Sequence, residues 1–425
     1  MTPETWVVSD LHLGGGTSDP LEDFTVDRSL VGFIDELASV KASLVVNGDF
    51  LEFAQVGPHL LPDDLRDLPS HLLWTSALST QKAASIVAAH GTVFDALGRI
   101  CQAGGEVTIA VGNHDLDLAF PEVQAILRDA IGGSSRLRFT LEPVQVDDVW
   151  IEHGHAATPE NCPTNPISFI HEHEWRGVQE LFLERVWGTD FLIRWYNDFE
   201  RAHPYADNVK PMAAAVFHGV RAKPRLIKLR DFVSLLAFLA RRGLPPGGIG
   251  AVLDGEVEAN YTDVAAHLAG TRWESLAVEL LPDEIDEAIA ELPRDLRIAL
   301  AQPETTRLPD PDEMYTDPAA LLGGDRREKP FAEALLGRPG VRRVVLGHTH
   351  REIDGDLGGA LFNPGTWIPR LHLDDPDVKR EIDRIGFSSE LLQNADLYVH
   401  RLRAIRIRAG IAESTVQLVT IDDVG

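Results

Sequence analysis

Short apolar runs alternate with helical spacing over the first 155 positions of the chain. The runs are Trp6–Ser9, Leu44–Asn47, Val107–Val111, Arg136–Thr140 and Val149–Glu152, each short enough for a strand. Between the first two, Val26, Leu30, Phe33, Ile34 and Leu37 recur at the three- and four-residue spacing of an amphipathic helix. The stretch from Thr75 to Gln102 reads as one longer helix, stopped by Gly104-Gly105. Alternating strands and helices predict an α/β fold.

The pattern changes after Ala156. Residues 166 to 302 read as helix after helix, with apolar positions at Phe182, Val186 and Trp195, then Leu235, Leu236 and Leu239, then Leu276, Leu280 and Ile285. The stretch Pro303 to Pro330, rich in Pro, Asp and Gly, predicts an irregular connection. Strand character resumes at Val341, and Leu397–Ile407 and Thr415–Ile421 read as antiparallel strands at an edge or in a second sheet. The expected organisation is one discontinuous α/β domain, residues 1–155 and 341–425, interrupted by a mainly helical insertion at 156–340 that is a candidate lid or substrate-selecting cap.

Composition narrows the function classes. A net charge of −27 over 425 residues repels phosphate backbones over most of the surface, so broad nucleic-acid binding is not expected. Cys101 and Cys162 are the two cysteines and neither lies in a CxxC pattern, which disfavours a disulfide framework and a thiolate zinc site. No apolar run reaches the length of a spanning helix, and Trp6-Val7-Val8 runs straight into a polar motif with no room for a signal peptide. The expected location is the cytoplasm.

Five polar motifs each follow an apolar run: Asp10-Leu11-His12, Gly48-Asp49, Gly112-Asn113-His114-Asp115, His153-Gly154-His155 and Gly347-His348-Thr349-His350. Ligands of open α/β sheets bind beyond the carboxyl ends of the strands, so these sets are expected to converge on one rim. Carboxylate, amide oxygen and imidazole together suit divalent Mn, Fe or Zn. Two such ions about 3.5–4 Å apart can clamp a phosphoryl group. A lone Asp-x-His or Gly-Asp is common at ordinary turns; the specificity lies in all five occurring in this order. Spacing does not choose between His153 and His155.

This order of motifs resembles the calcineurin-like metallophosphoesterase family. The resemblance covers residues 5–155 and 341–367 and rests on SDLHLG, NGDFLEF, VGNHD, EHGH and LGHTH, with Asn363-Pro364-Gly365-Thr366 resembling the closing turn. It implies an αββα sandwich and a phosphoester or pyrophosphate hydrolase with two divalent ions, manganese foremost, acting through metal-activated hydroxide on a small phosphorylated substrate. One ion would be held by Asp10, His12, Asp49 and His350, the other by Asp49, Asn113, His153 and His348. His114 would stabilise the transferring oxygens or protonate the leaving oxygen. Asp115 would orient His114, or cap a helix. SDLHLG with GDFLEF is similar to the UDP-diacylglucosamine hydrolase branch, which departs from this chain in carrying arginine at the position of His114 and a shorter lid. A nuclease of the same fold and a non-catalytic scaffold are the alternatives. Acidity counts against the first, and the full motif set against the second.

The remaining features take structural readings. Arg221, Lys223, Arg225, Lys228 and Arg230 form a basic cluster, read as a solvated helix face rather than an anion clamp. Arg401, Arg403, Arg406 and Arg408 read as one solvated sheet face. Trp175, Phe182, Trp187, Phe191, Trp195, Tyr196 and Phe199 read as helix packing, with an apolar lid as the alternative. His171-Glu172-His173-Glu174 reads as exposed helix, where residues two apart do not share a face. Glu52 reads as a solvated helix residue, with a partner of a metal ligand as the alternative. Cys162 has no evident activating base and receives no catalytic role.

Overall fold

The computed structural model describes residues 4–57, 74–158, 161–163, 169–175, 178–184, 186–202, 208–210, 323–372, 376–386, 388–392, 394–410 and 413–422. It is a mixed α/β protein with several sheets. The chain divides into two compact units, residues 1–193, 326–370 and 399–425 in one and residues 194–325 and 371–398 in the other. The basic cluster at 221–230 and the apolar sets at 235–239 and 276–285 lie outside the described residues.

The first unit holds two large sheets. Strands β1 (Glu4–Val8), β2 (Ser43–Asn47), β3 (Val107–Ala110) and β4 (Leu137–Thr140) run parallel, and β15 (Arg403–Arg408) and β16 (Thr415–Thr420) extend the sheet antiparallel beyond β1. The second sheet has the order β11 (Glu352–Gly355), β12 (Leu361–Pro364), β10 (Arg343–Val345), β6 (Val149–Ile151) and β5 (Val144–Val146), with β6, β10 and β12 parallel.

Side-chain alternation along the strands builds the layers. Val7 and Val45 share a buried cluster with Ile405 and Ile407 and, from the second sheet, with Val149, Ile151, Val345 and Phe362. The alternate residues Trp6, Val8, Leu44 and Val46 pack instead with Leu30, Phe33 and Ile34 of α1 (Asp27–Val40) and Val93, Phe94 and Leu97 of α3 (Gly91–Ala103). On the far side of the second sheet, Val344, Leu346 and Leu361 join Ala332 and Leu335 of the helix Gly323–Leu336. The two sheets thus share one core, and each covers a second core on its outer face.

Several elements differ from the expectations of the sequence. The stretch 75–102 is two helices, Ser76–Ala89 and Gly91–Ala103, broken at His90. Ile170–Trp175 and Val178–Leu183 form an antiparallel hairpin where helix was expected. Its His-Glu residues sit on a strand rather than a helix, with His171 and Glu172 exposed. The last part of the presumed irregular connection is the first half of the helix Gly323–Leu336. The four arginines do not share a face: Arg403 reaches Glu352 of the second sheet at 3.3 Å, whereas Arg406 lies over the Trp6 ring and Arg408 pairs with Glu4. Positions 403 and 406 differ by an odd number, and a strand alternates every residue.

Of the aromatic stretch, Trp187 and Phe191 stack within one helical turn in the first unit, and Trp195 and Phe199 do so in the second. The second unit also pairs Val209–Lys210 with Leu371–His372, over a small core of Val378, Leu391, Leu392 and Tyr398. Among the described residues no helix is long and apolar enough to cross a membrane.

Candidate metal centre

The five motifs sit at the carboxyl ends of five parallel strands of the first unit, β1, β2 and β3 in one sheet and β6 and β10 in the other. The loops after β1 and β2 are stitched together: His12 N–H donates to Asp49 O at 2.9 Å and Leu13 N–H to Phe50 O at 2.9 Å. Asp10, His12, Asp49, His348 and His350 all have positive φ, between 49° and 68°. An L-residue in that region costs roughly 1–2 kcal/mol. Five such residues in one cluster mark a place where side-chain position outweighs backbone comfort. Two glycines are required for close approach. A Cβ at Gly112 would overlap Asp49 Oδ1, and one at Gly347 would overlap Ser9 Oγ.

The side chains form two groups that share Asp49. Donor atoms of Asp10, His12, Asp49 and His350 lie within 4.8 Å of one another, as do those of Asp49, His153 and His348. In the first group His12 Nε2 is 3.0 Å from His350 Nε2, and His350 Nε2 is 3.4 Å from Asp10 Oδ1. In the second, His153 Nε2 is 3.1 Å from Asp49 Oδ2 and 3.3 Å from Asn113 Oδ1. Asp49 Oδ2 also lies 3.9 Å from His12 Nε2. One carboxylate oxygen therefore faces both groups. His153, rather than His155, is the histidine brought to Asp49.

The donor set fits divalent cations. His153 Nδ1 donates to the Asn47 carbonyl at 2.9 Å, which leaves Nε2 bare in the neutral ring. His12 Nδ1 meets Glu52 Oε2 at 2.8 Å, which likewise leaves Nε2 bare. His12 Nε2 faces His350 Nε2 at 3.0 Å beside buried carboxylates, an arrangement that a cation relieves.

Burial and neighbouring charge set the protonation of the group. Burial, reinforced by Asp49, raises Asp10 above the usual carboxylate range against the pull of His153. Asp49 is equally buried, yet His153 and His114 hold it well below that range. Burial works against charge on His153, but Asp49 and Asp10 outweigh it and lift the ring to about 9. His348 goes the other way, held well below the usual range by burial and by its neighbour His153.

His114 sits beside both groups and is the more open residue, its side chain 18% exposed. Its N–H donates to Asp49 Oδ1 at 2.9 Å, and its Nδ1 meets Glu52 Oε2 at 2.6 Å. Burial opposes charge on this ring, but Glu52 and Asp49 raise it to about 10. Glu52, only 2% exposed, is thus no solvated helix residue. It lies in the turn after Leu51 and grips two histidines at once; despite burial, His114 and His12 hold it at about 2. Sequence spacing offered only the motif GDFLEF, in which helix and turn are indistinguishable.

Asp115 stands at the N-cap position of the 3₁₀ turn Leu116–Ala119, but its side chain is turned to backbone N–H groups. One oxygen accepts from Gly112 N–H at 2.6 Å, and the other from Phe50 N–H at 2.8 Å and Leu51 N–H at 3.3 Å. Its side chain makes no cap bond to the 3₁₀ turn Leu116–Ala119. It ties the β2 and β3 loops together, and Glu52 is the carboxylate on His114 Nδ1.

Further residues support the centre without any motif to announce them. Buried Glu328 accepts from Asn363 at 3.0 Å and from Thr349, between the two histidines of GHTH, at 3.3 Å. Thr158 Oγ1 lies 2.9 Å from His348 Nε2. Cys162 is half-buried, and burial together with Glu184 and Glu152 raises its thiol, in keeping with no reactive role. Comparison with known proteins returned no match, either to a family profile or to a curated protein.

Proposed function

We propose that this chain is a binuclear metal-dependent phosphoesterase, hydrolysing a phosphoester or pyrophosphate bond of a small phosphorylated substrate on a calcineurin-like αββα sandwich. One observation carries the reading: Asp49 Oδ2 faces two separate donor groups, 3.9 Å from His12 Nε2 and 3.1 Å from His153 Nε2. A single buried ion has no use for two histidine-rich groups with a common carboxylate. A pair of ions held close together does. Two sheets that share one core, each with a further core on its outer face, support the four-layered reading.

Asp10, His12, Asp49 and His350 would hold one divalent ion, and Asp49, Asn113, His153 and His348 the other, with Mn²⁺ foremost and Fe²⁺ or Zn²⁺ suited to the same donors. When bound, such ions supply charge neutralisation at the phosphoryl oxygens and activate water. The protein supplies the rest. Glu52 holds His114 by Nδ1, so Nε2 is the nitrogen left for the substrate. With Nδ1 fixed and the ring charged, the Nε2 proton is placed to pass to the leaving oxygen. Glu52 is buried, which strengthens its hold on the ring. Cysteines outside any paired pattern fit a reducing compartment, and we place the protein in the cytoplasm.

The test is turnover of a nitrophenyl phosphodiester and monoester by purified protein with Mn²⁺. His114→Ala should lower kcat by about 10²–10⁴-fold while leaving bound metal unchanged. Metal-loaded protein without turnover on a broad phosphoester panel contradicts the proposal, and cleavage of DNA in preference to small esters moves it to a nuclease.

A further inference from the structure

The turn after β6 carries Thr158, which has no place in any of the five motifs. Its hydroxyl donates to the His155 carbonyl at 2.9 Å, and its own N–H donates to that same carbonyl at 2.9 Å. A threonine has one hydroxyl proton, and giving it to that carbonyl leaves the oxygen as an acceptor. The same oxygen lies 2.9 Å from His348 Nε2. Accepting there, it would take the proton of that contact from His348 Nε2. Asn161, tied to Thr158 by a 2.9 Å backbone bond, brings its side-chain amide to 3.4 Å from the same nitrogen. Amide oxygen and nitrogen are assigned from the network rather than seen, and with the oxygen turned inward Asn161 becomes a second acceptor.

We infer that Thr158 is a positioning residue of the second cation group: by accepting the Nε2 proton of His348 it fixes the ring so that Nδ1 is the nitrogen offered to the ion. This rests on the proposed metal centre. His153 is fixed in the opposite sense, with Nδ1 bound to Asn47 O and Nε2 facing Asp49. The two imidazoles of the second group would then donate through different nitrogens, each selected by its outer partner.

Calorimetric titration with Mn²⁺ tests the inference, comparing wild type, Thr158→Val and Thr158→Ser. Valine keeps the shape but not the acceptor; serine keeps the acceptor. In wild type two ions should bind. Thr158→Val should leave the first affinity intact and weaken the second by about 10–100-fold, and Thr158→Ser should restore it. The unchanged first affinity reports that the variant is folded. Nitrogen-15 chemical shifts of His348 in the loaded protein should show the proton on Nε2 and the ion on Nδ1. Equal binding of both ions by Thr158→Val, or a metal-bound Nε2, overturns the inference while leaving the phosphoesterase proposal standing. Failure of wild type to bind any ion overturns both.

Discussion

The two groups of donors around Asp49 look alike in composition but differ in what stands behind them. Asp10, His12 and His350 bring a second buried carboxylate, and His12 is backed by the Glu52 carboxylate at 2.8 Å. On the other side, Asn113 is neutral, His153 is backed by a peptide carbonyl and His348 by a hydroxyl. An anionic partner makes an imidazole a stronger donor than a neutral one does, and a second carboxylate adds charge where an amide adds none. The first group is therefore expected to hold its cation more tightly and the second to exchange it more freely. The motifs show part of this difference, Asp10 against Asn113, and the rest resides in the outer contacts.

The largest effect that can break the comparison is at the residue common to both groups. Asp49→Asn should abolish binding of the ion pair and lower turnover at least about 10³-fold, since several kcal/mol of charge stabilisation depend on it. Asp10→Asn should instead remove only the first ion, as read by metal stoichiometry. Glu52→Gln sharpens the comparison next: it should weaken the first affinity by about 10–100-fold and lower kcat through His114, leaving the second affinity unchanged.

A smaller effect is expected at His90, which supports the first group from a distance. His90 meets Asp27 at 2.7 Å and Glu22 at 3.2 Å, and Glu22 in turn accepts from the backbone N–H groups of Gly14 and Gly16, just beyond His12. Burial opposes charge on this ring, but Asp27 and Glu22 outweigh it and raise it to about 9. A folded value above the unfolded one gives stability that is fully present below the ordinary histidine range of about 6.5 and is lost as pH rises through about 9. His90→Gln should therefore cost roughly 1–3 kcal/mol at pH 6, with the gap from wild type narrowing by pH 9.5, as followed by denaturant unfolding at each pH. The smallest effect is at Arg99, which pairs with Asp35 where both side chains are more than 40% exposed. Arg99→Ala should change stability by less than about 0.5 kcal/mol and leave both affinities alone.

Much of the centre was legible from the sequence because its residues follow strands directly. Asp10, Asp49, Asn113, His153 and His348 stand at strand ends, where a short apolar run and the next polar residue reveal position together. The choice of His153 over His155 was not legible, since two histidines astride a positive-φ glycine differ only in which way the turn points them. Glu52 was misjudged because its role depends on Leu51 bridging to Leu13, a long-range contact that turns the chain where local spacing permits a helix. The contacts of Asp115 were hidden for a similar reason, as three backbone N–H groups from two loops claim its oxygens. The hairpin at 170–183 escaped because aromatic and charged residues there carry no clean two-residue alternation. The break at His90 escaped because its one local signal is Gly91, and a lone Gly is tolerated inside a helical pattern.

The most direct measurement is anomalous diffraction from crystals of the Mn²⁺-loaded protein. Two peaks should appear on either side of Asp49, one bounded by Asp10, His12 and His350 and the other by Asn113, His153 and His348. A single peak, or manganese bound away from Asp49, would contradict a shared two-ion centre and with it the phosphoesterase chemistry built on it.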